Sequence, residues 1–183
     1  MKSARIATIH QVTLTVIDVE PPVWRQLLIP SESTLHQVHE VFQTAMGWEN
    51  YHLYQFRVGE TTYLIPDEDW PNDSIDPATV SLGDLVGPGD RFVYEYDFGD
   101  GWEHEVVVED VLPAAGHPRP VCLAGRRACP PEDVGGPGGY ENFLEAISDP
   151  EHPEHAEFLE WAGGSFDPNA FDADEVDRLL ALG

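Results

Sequence analysis

Apolar positions first recur in residues 6–17, where Ile9, Val12, Leu14 and Val16 alternate imperfectly with polar neighbours and β-branched content favours a strand. Pro21 and Pro22 interrupt it, because proline has no amide hydrogen for a ladder, and residues 23–29 read as the returning strand, ended by Pro30. Next comes a helix. Leu35, Val38, Phe42, Ala45 and Met46 fall on one face, Ser33 is the expected N-cap and Gly47 the stop.

Residues 52–58 and 61–65 predict a hairpin over Gly59-Glu60, since glycine at the first central position suits a type II′ turn. Residues 66–77 are acidic and aperiodic, a loop, and 80–90 hold a short turn punctuated by Gly83, Gly87, Pro88 and Gly89. Phe92, Tyr94 and Tyr96 then alternate with Val93, Glu95 and Asp97, and residues 102–112 make a second long strand. Phe98-Gly99-Asp100-Gly101 joins the two as an antiparallel hairpin.

Residues 113–139 are rich in proline and glycine, have no period and predict a long ordered loop. Residues 140–147, 155–161 and 173–180 are helical, the last capped by Asp172 with Glu175 three positions on. No repeat is visible. Strands fill the first two thirds and helices the last, which predicts an α+β fold. Its antiparallel sheet has a long central hairpin, one N-terminal amphipathic helix and short C-terminal helices.

A chain of 183 residues fits a single domain, 1–183, and buries about 70% of its extended surface on folding. With 42% hydrophobic and 10% aromatic residues, wholesale disorder is excluded. Charge changes the picture more. There are 34 acidic against 9 basic residues, a net −25, and residues 67–112 carry 14 acids and one base. Such a surface repels phosphate backbones and anionic membranes and attracts cations or basic proteins. Selection for solubility or a salt-rich cytoplasm would produce the same bias. Two cysteines, Cys122 and Cys129, are too few for a disulfide framework, and their spacing exceeds the usual zinc knuckle. No apolar run has signal-peptide or membrane-span length, so a soluble, cytoplasmic protein is expected.

Several short motifs fail on context. Asp97-Phe98-Gly99 has no accompanying kinase loops, Gly135-Gly136-Pro137-Gly138-Gly139 lacks the Lys-Ser/Thr of a phosphate loop, and no serine sits in a nucleophile elbow. The stretch from Tyr94 to Glu105 survives. Asp97 and Asp100 flank one turn and His104 follows on the returning strand, a mixed oxygen and nitrogen set suited to a divalent metal such as zinc, manganese, magnesium or iron. His39, His52 and Glu132-Asp133 are the candidates to complete the shell. The competing reading has Asp97 and Asp100 capping turn amides and His104 as a satisfied, half-buried histidine. Cys122 and Cys129 either pair as thiolate ligands with His104 or His117, or are small buried hydrophobes. Trp24, Trp48, Trp102 and Trp161 read as core or lid packing, because a nucleic-acid groove needs basic residues between its aromatics.

Certain phrases occur in a distinctive order: Pro21-Pro22-Val23-Trp24-Arg25, Met46-Gly47-Trp48, His52-Leu53-Tyr54-Gln55-Phe56, Tyr96 through His104, Cys129 through Gly136, Gly139-Tyr140 and Phe166-Asp167-Pro168. Together they resemble the Ri-plasmid ORF-three-like family over nearly the whole chain. The resemblance implies one α+β domain and an association with plasmids or mobile elements, without an established activity. Many members carry cysteine where this chain has Val134, and some carry resolvase labels. A recombinase needs cationic side chains for several phosphates and a nucleophile at the strand, which nine bases in a chain of −25 do not provide. Two functional readings follow. One is a non-catalytic acidic accessory protein whose partner is a basic protein surface, with Arg119, Arg126 and Arg127 pairing within the long loop and no direct nucleic-acid binding. The other is a divalent-metal-dependent hydrolase using Asp97, Asp100 and His104, with His39, His52 or Asp133.

Overall fold

The structure, a computed structural model, describes residues 7–67, 69, 73–116 and 119–183. Seven strands form one antiparallel sheet: β1 (Thr8–Val16), β2 (Trp24–Pro30), β3 (Tyr54–Val58), β4 (Thr61–Leu64), β5 (Arg91–Tyr96), β6 (Trp102–Pro113) and β7 (Val121–Arg126), in the order β4-β3-β5-β6-β1-β2-β7. The β5–β6 hairpin lies at the centre, with Tyr94 opposite His104 and Tyr96 opposite Trp102. Val58 faces Thr61 across Gly59-Glu60, and only Gly59 has a positive φ there, as a type II′ turn requires. The first strand begins at Thr8, and position 6 of the expected strand lies outside the described residues, as do 68 and 70–72 of the acidic loop.

Helix α1 (Leu35–Met46) covers one face of the sheet. Its cap is Thr34 rather than Ser33: Thr34 Oγ1 accepts from the Gln37 amide (3.2 Å) while Gln37 Oε1 accepts from the Thr34 amide (2.9 Å). Only Thr34 stands three residues before a glutamine, so only it can close that reciprocal pair. Gly47, at φ 104°, ends the helix as expected. Phe42 meets Tyr94 edge-on, with 5.1 Å between ring centroids, and Phe56 lies behind both.

The core is the inward set of every strand. Trp102, His104, Val106 and Val108 alternate with exposed or half-exposed residues along β6, and an irregularity beside Gln11 and Val12 inserts Glu109 without disturbing the buried face before it. The opposite face of the sheet is polar, as antiparallel sheets allow. Glu95 and Glu103 stand directly across from each other there, and Arg57 pairs with both, offsetting their repulsion.

Two segments read as irregular have structure. Residues 82–85 form a short helix, α2 (Leu82–Leu85), and β7 occupies the middle of the stretch read as a long loop. Its Val-Cys-Leu-Ala-Gly-Arg sequence lacks alternation because the strand pairs only with β2 and lies at the sheet edge. Helices α3 (Gly136–Ser148), α4 (His155–Trp161) and α5 (Ala173–Leu180) complete the chain, and α5 packs on β7 and α1. Tyr140 and Phe143 carry α3 onto Trp102 and the sheet. Of the tryptophans, Trp48 and Trp102 are core residues with rings 5.8 Å apart, Trp24 is half-buried, and Trp161 is half exposed over Phe143. Among the described residues, no helix is long and apolar enough to cross a membrane.

Candidate metal centre

Three separate segments meet at the end of the sheet where the β5–β6 hairpin turns. The first is the connection from α1 to β3, which carries His52. The second is the turn itself, which carries Asp97. The third is the loop between β7 and α3, which carries Glu132 and Asp133. His52 Nε2 lies 2.9 Å from Asp133 Oδ1, 3.5 Å from Asp97 Oδ2 and 4.0 Å from Glu132 Oε2. One donor atom each from His52, Asp97 and Asp133 falls within 4.8 Å of the others. Ligands around a tetrahedral ion with bonds near 2.0–2.1 Å stand about 3.3 Å apart, a separation that the two His52–aspartate distances, 2.9 and 3.5 Å, bracket.

The geometry of His52 is unusual for a simple ion pair. Its Nε2 is fully covered, yet none of the three carboxylates meets it with hydrogen-bond geometry. A buried ring nitrogen with three carboxylates close by and no hydrogen bond is uncommon and calls for a reason. Both aspartates also sit on left-handed backbone, Asp97 at φ 57° and Asp133 at φ 56°. Such conformations cost energy for side-chain-bearing residues and cluster at functional sites.

Asp97 and Glu132 are held by neighbouring donors that set how their carboxylates face His52. Asp97 Oδ1 accepts from the Gly99 amide (3.0 Å), turning Oδ2 toward His52. Glu132 Oε1 accepts from the Glu49 amide (2.9 Å) and from the Tyr96 hydroxyl (3.1 Å). Tyr96 in turn accepts from the Tyr51 and His52 amides. Burial, then the neighbouring Glu132, raises the Tyr96 phenol well above its ordinary pKa, so it stays a donor to that carboxylate. Side-chain exposure grades outward, from 9% at Asp97 and 18% at Glu132 to 66% at Asp133, so the centre opens to solvent on the Asp133 side.

The loop that brings Glu132 and Asp133 is fastened at three places. The Trp48 indole donates to the Pro130 carbonyl (2.9 Å). Arg25, only 2% exposed, donates to the Arg126 and Arg127 carbonyls at 3.0 and 2.9 Å, while its Nε reaches the Ala45 carbonyl at 2.8 Å. Asp100 Oδ2 accepts from the Gly135 amide (3.0 Å). At Gly136, φ is 70° and a Cβ would collide with the Asp100 carbonyl oxygen, so glycine is required for α3 to start against the turn.

Of the six residues singled out in the sequence, His52, Asp97 and Asp133 converge, and Asp100, His39 and His104 do not. Asp100 docks the loop. His104 is fully buried, its Nδ1 against the Tyr94 carbonyl at 3.2 Å, and burial lowers its pKa to about 4. His39 lies inside α1's packed face, between the Tyr94 hydroxyl (2.8 Å) and Asn50 Oδ1 (2.8 Å), and burial lowers its pKa to about 4 as well. Cys122 and Cys129 are free thiols outside the cluster, and burial raises both pKa values. His117 lies outside the described residues. Arg119 pairs with Asp177 on α5 rather than within the loop, and Arg127 reaches Asn169. Tyr96 and Trp48, which position the centre, carried no sequence signal beyond their place in the motif phrases.

Comparison with known proteins adds a family to this geometry. The chain is 44% identical over 178 residues to the uncharacterized protein y4hQ of Sinorhizobium fredii (strain NGR234), covering 96% of this chain and 92% of that protein. It also matches the crystal structure of a protein of unknown function, MM3350, from Methanosarcina mazei Go1. There the TM-score is 0.85 and the identity 32%, over 93% of this chain and 98% of that one. The family model described as plasmid pRiA4b ORF-3-like protein spans residues 8–175. By that match and by its relative, the chain belongs to the plasmid pRiA4b ORF-3-like family.

Proposed function

We propose that this protein binds a divalent transition-metal cation through His52, Asp97 and Asp133, with Glu132 as a further oxygen donor, and uses it to activate water for hydrolysis. The covered His52 Nε2, ringed by three carboxylates without a hydrogen bond, carries this reading. One imidazole with carboxylates suits zinc or manganese better than the all-oxygen shells of magnesium and calcium. The exposed Asp133 side leaves room for water on the ion, and a metal-bound water is a nucleophile near neutral pH. The alternative of a non-catalytic acidic interaction protein draws on net charge alone and gives no reason for two left-handed aspartates around one histidine.

The test is elemental analysis of untagged protein followed by calorimetric titration with zinc and manganese. One ion per chain is expected, with His52→Ala and Asp97→Asn each weakening binding at least tenfold. Asp100→Ala should weaken it roughly 10–100-fold, the range for partners that orient ligands. Stoichiometric metal retained in the His52→Ala/Asp97→Asn double variant would place the ion elsewhere and refute the proposal.

A further inference from the structure

A second concave site lies at the opposite end of the sheet. His10 and Val16 are separated along β1 by six residues, about 20 Å at 3.3 Å per residue, and Val16 pairs with His104 near the hairpin turn. A cavity of about 700 Å³ opens there, lined by Thr8, His10, Ser31, Val86, Pro88 and Val111 among others. That volume is ample for a small molecule, whose pockets run roughly 300–1,000 Å³.

Strand pairing builds a directed polar chain into its wall. Ile9 pairs with Pro30 and the Ser31 amide donates to the Thr8 carbonyl (3.0 Å), so Ser31 emerges from β2 beside Thr8 and His10. Thr8 Oγ1 donates to Ser31 Oγ at 2.7 Å. Ser31 Oγ lies 2.8 Å from His10 Nδ1, and His10 Nε2 lies 2.9 Å from the Val86 carbonyl oxygen. A carbonyl only accepts, so the Nε2 proton is fixed on that side and Nδ1 presents its lone pair to the serine hydroxyl. His10 is 2% exposed and cannot turn away, whereas Ser31 is half-buried and faces the cavity.

We infer that Ser31 is an acyl-transfer nucleophile with His10 as its general base. Nucleophile, base and a third group that orients the base are the parts of an activated serine, here with a main-chain carbonyl as the orienting group. Thr8 fills one acceptor lone pair of Ser31 Oγ, which leaves the serine proton directed at His10 Nδ1. Among the described residues, the amide of Glu32, the position after Ser31, makes no hydrogen bond, which leaves it available as a donor to a substrate oxygen. Val86, Pro88, Val111 and Ala114 give the cavity an apolar wall, while Glu32 and Asp84 put carboxylates on it. The substrate class is therefore a small ester with an apolar acyl group and no negative charge.

In the acylation step Ser31 Oγ bonds to the carbonyl carbon and its proton passes to His10 Nδ1. The ester C–O bond then breaks and the leaving alcohol takes that proton. Water next bonds to the acyl carbon and gives a proton to His10. The Ser31–acyl bond breaks, the carboxylic acid leaves, and the proton returns to Oγ.

An alkyl fluorophosphonate tests the nucleophile directly, because Ser31 Oγ would displace fluoride and leave a stable phosphonyl adduct. Intact-mass spectrometry of the full chain should show one adduct, mapped to Ser31 by fragmentation and absent in Ser31→Ala. His10→Gln should slow labelling by about 10²–10⁴-fold, the usual weight of a general base. If His10→Gln does not fold by circular dichroism, Thr8→Val decides, with labelling about tenfold slower for one lost hydrogen bond. No wild-type adduct, an adduct elsewhere, or labelling unchanged in the deciding variant would overturn the inference. None of these outcomes depends on whether a metal binds at His52.

Discussion

Replacing Arg25 with methionine would show how firmly the loop that carries Glu132 and Asp133 is tied to the core. The guanidinium is buried, has no carboxylate partner among the described residues and relies on carbonyls: Ala45 in the last turn of α1, Trp24 on its own strand, Arg126 at the end of β7 and Arg127 just after it. The Phe171 ring lies under it, 4.3 Å from Cζ. Burial lowers the Arg25 pKa, and the nearby Cys129 and Cys122 thiols push it back up. Three of its bonds join distant segments. At about 1.5–3 kcal/mol for a hydrogen bond involving a charged group, they contribute roughly 4.5–9 kcal/mol before offsets. Against this stands the desolvation of the cation, several kcal/mol, which methionine escapes while refilling the space. The net loss expected is about 3–4 kcal/mol, or a Tm lower by roughly 6–16 °C for a chain of this size. Urea unfolding followed by circular dichroism measures the loss, and hydrogen exchange should rise most at residues 126–133. Arg25→Lys should restore less than half, because one ammonium cannot span the same carbonyls. A loss under about 1 kcal/mol, or exchange that rises evenly over the chain, would refute the idea that this arginine fastens the loop.

Acid should destabilise the protein before its carboxylates titrate. His39 and His104 have folded pKa values lowered from 6.5 to about 4, so the unfolded chain binds two protons that the folded chain refuses between those values. Their contribution is fully present above pH 6.5 and falls as pH drops toward 4, at up to about 1.4 kcal/mol per unit for each histidine. Urea midpoints that stay flat between pH 7 and 5 would contradict this. Gly136→Ala should weaken metal binding and lower Tm by disturbing the contact between α3 and Asp100, whereas Gly138→Ala, whose Cβ meets nothing within 4 Å, should be mild; equal melting of the two variants would argue against that contact. Fluorescence anisotropy with duplex DNA at about 150 mM salt should show no sub-micromolar binding, since non-specific affinity comes mainly from counterions displaced by cationic side chains.

The fold class was legible because alternation and turn chemistry agree through β1, β2 and the β5–β6 hairpin. Strand β7 was not, since an edge strand that ends Ala-Gly-Arg has no period of its own. At the site, the residues near the turn were found by their chemistry, but two were grouped against their own periodicity. His104 shares parity with Trp102 and Val106, and His39 lies four residues from Leu35 and three from Phe42. Both patterns place the imidazole in the core. His52 and Asp133 follow no period, and only the folded chain shows that the α1–β3 connection and the loop after β7 reach the same turn. The pairing of His10 with Ser31 was likewise hidden, because it arises from strand register across 21 residues.

The three residues of the proposed centre stand at positions 52, 97 and 133, on connections between elements rather than within one hairpin. Forming any pair of ligands therefore closes a loop of several dozen residues, which the sheet must already have done. An ion that needs all three cannot serve as a folding nucleus. It would bind after the strands have paired and the loop has docked, and so would hold the finished chain closed. Its kinetic mark would be slower unfolding with an unchanged refolding rate, the behaviour of contacts absent from the transition state.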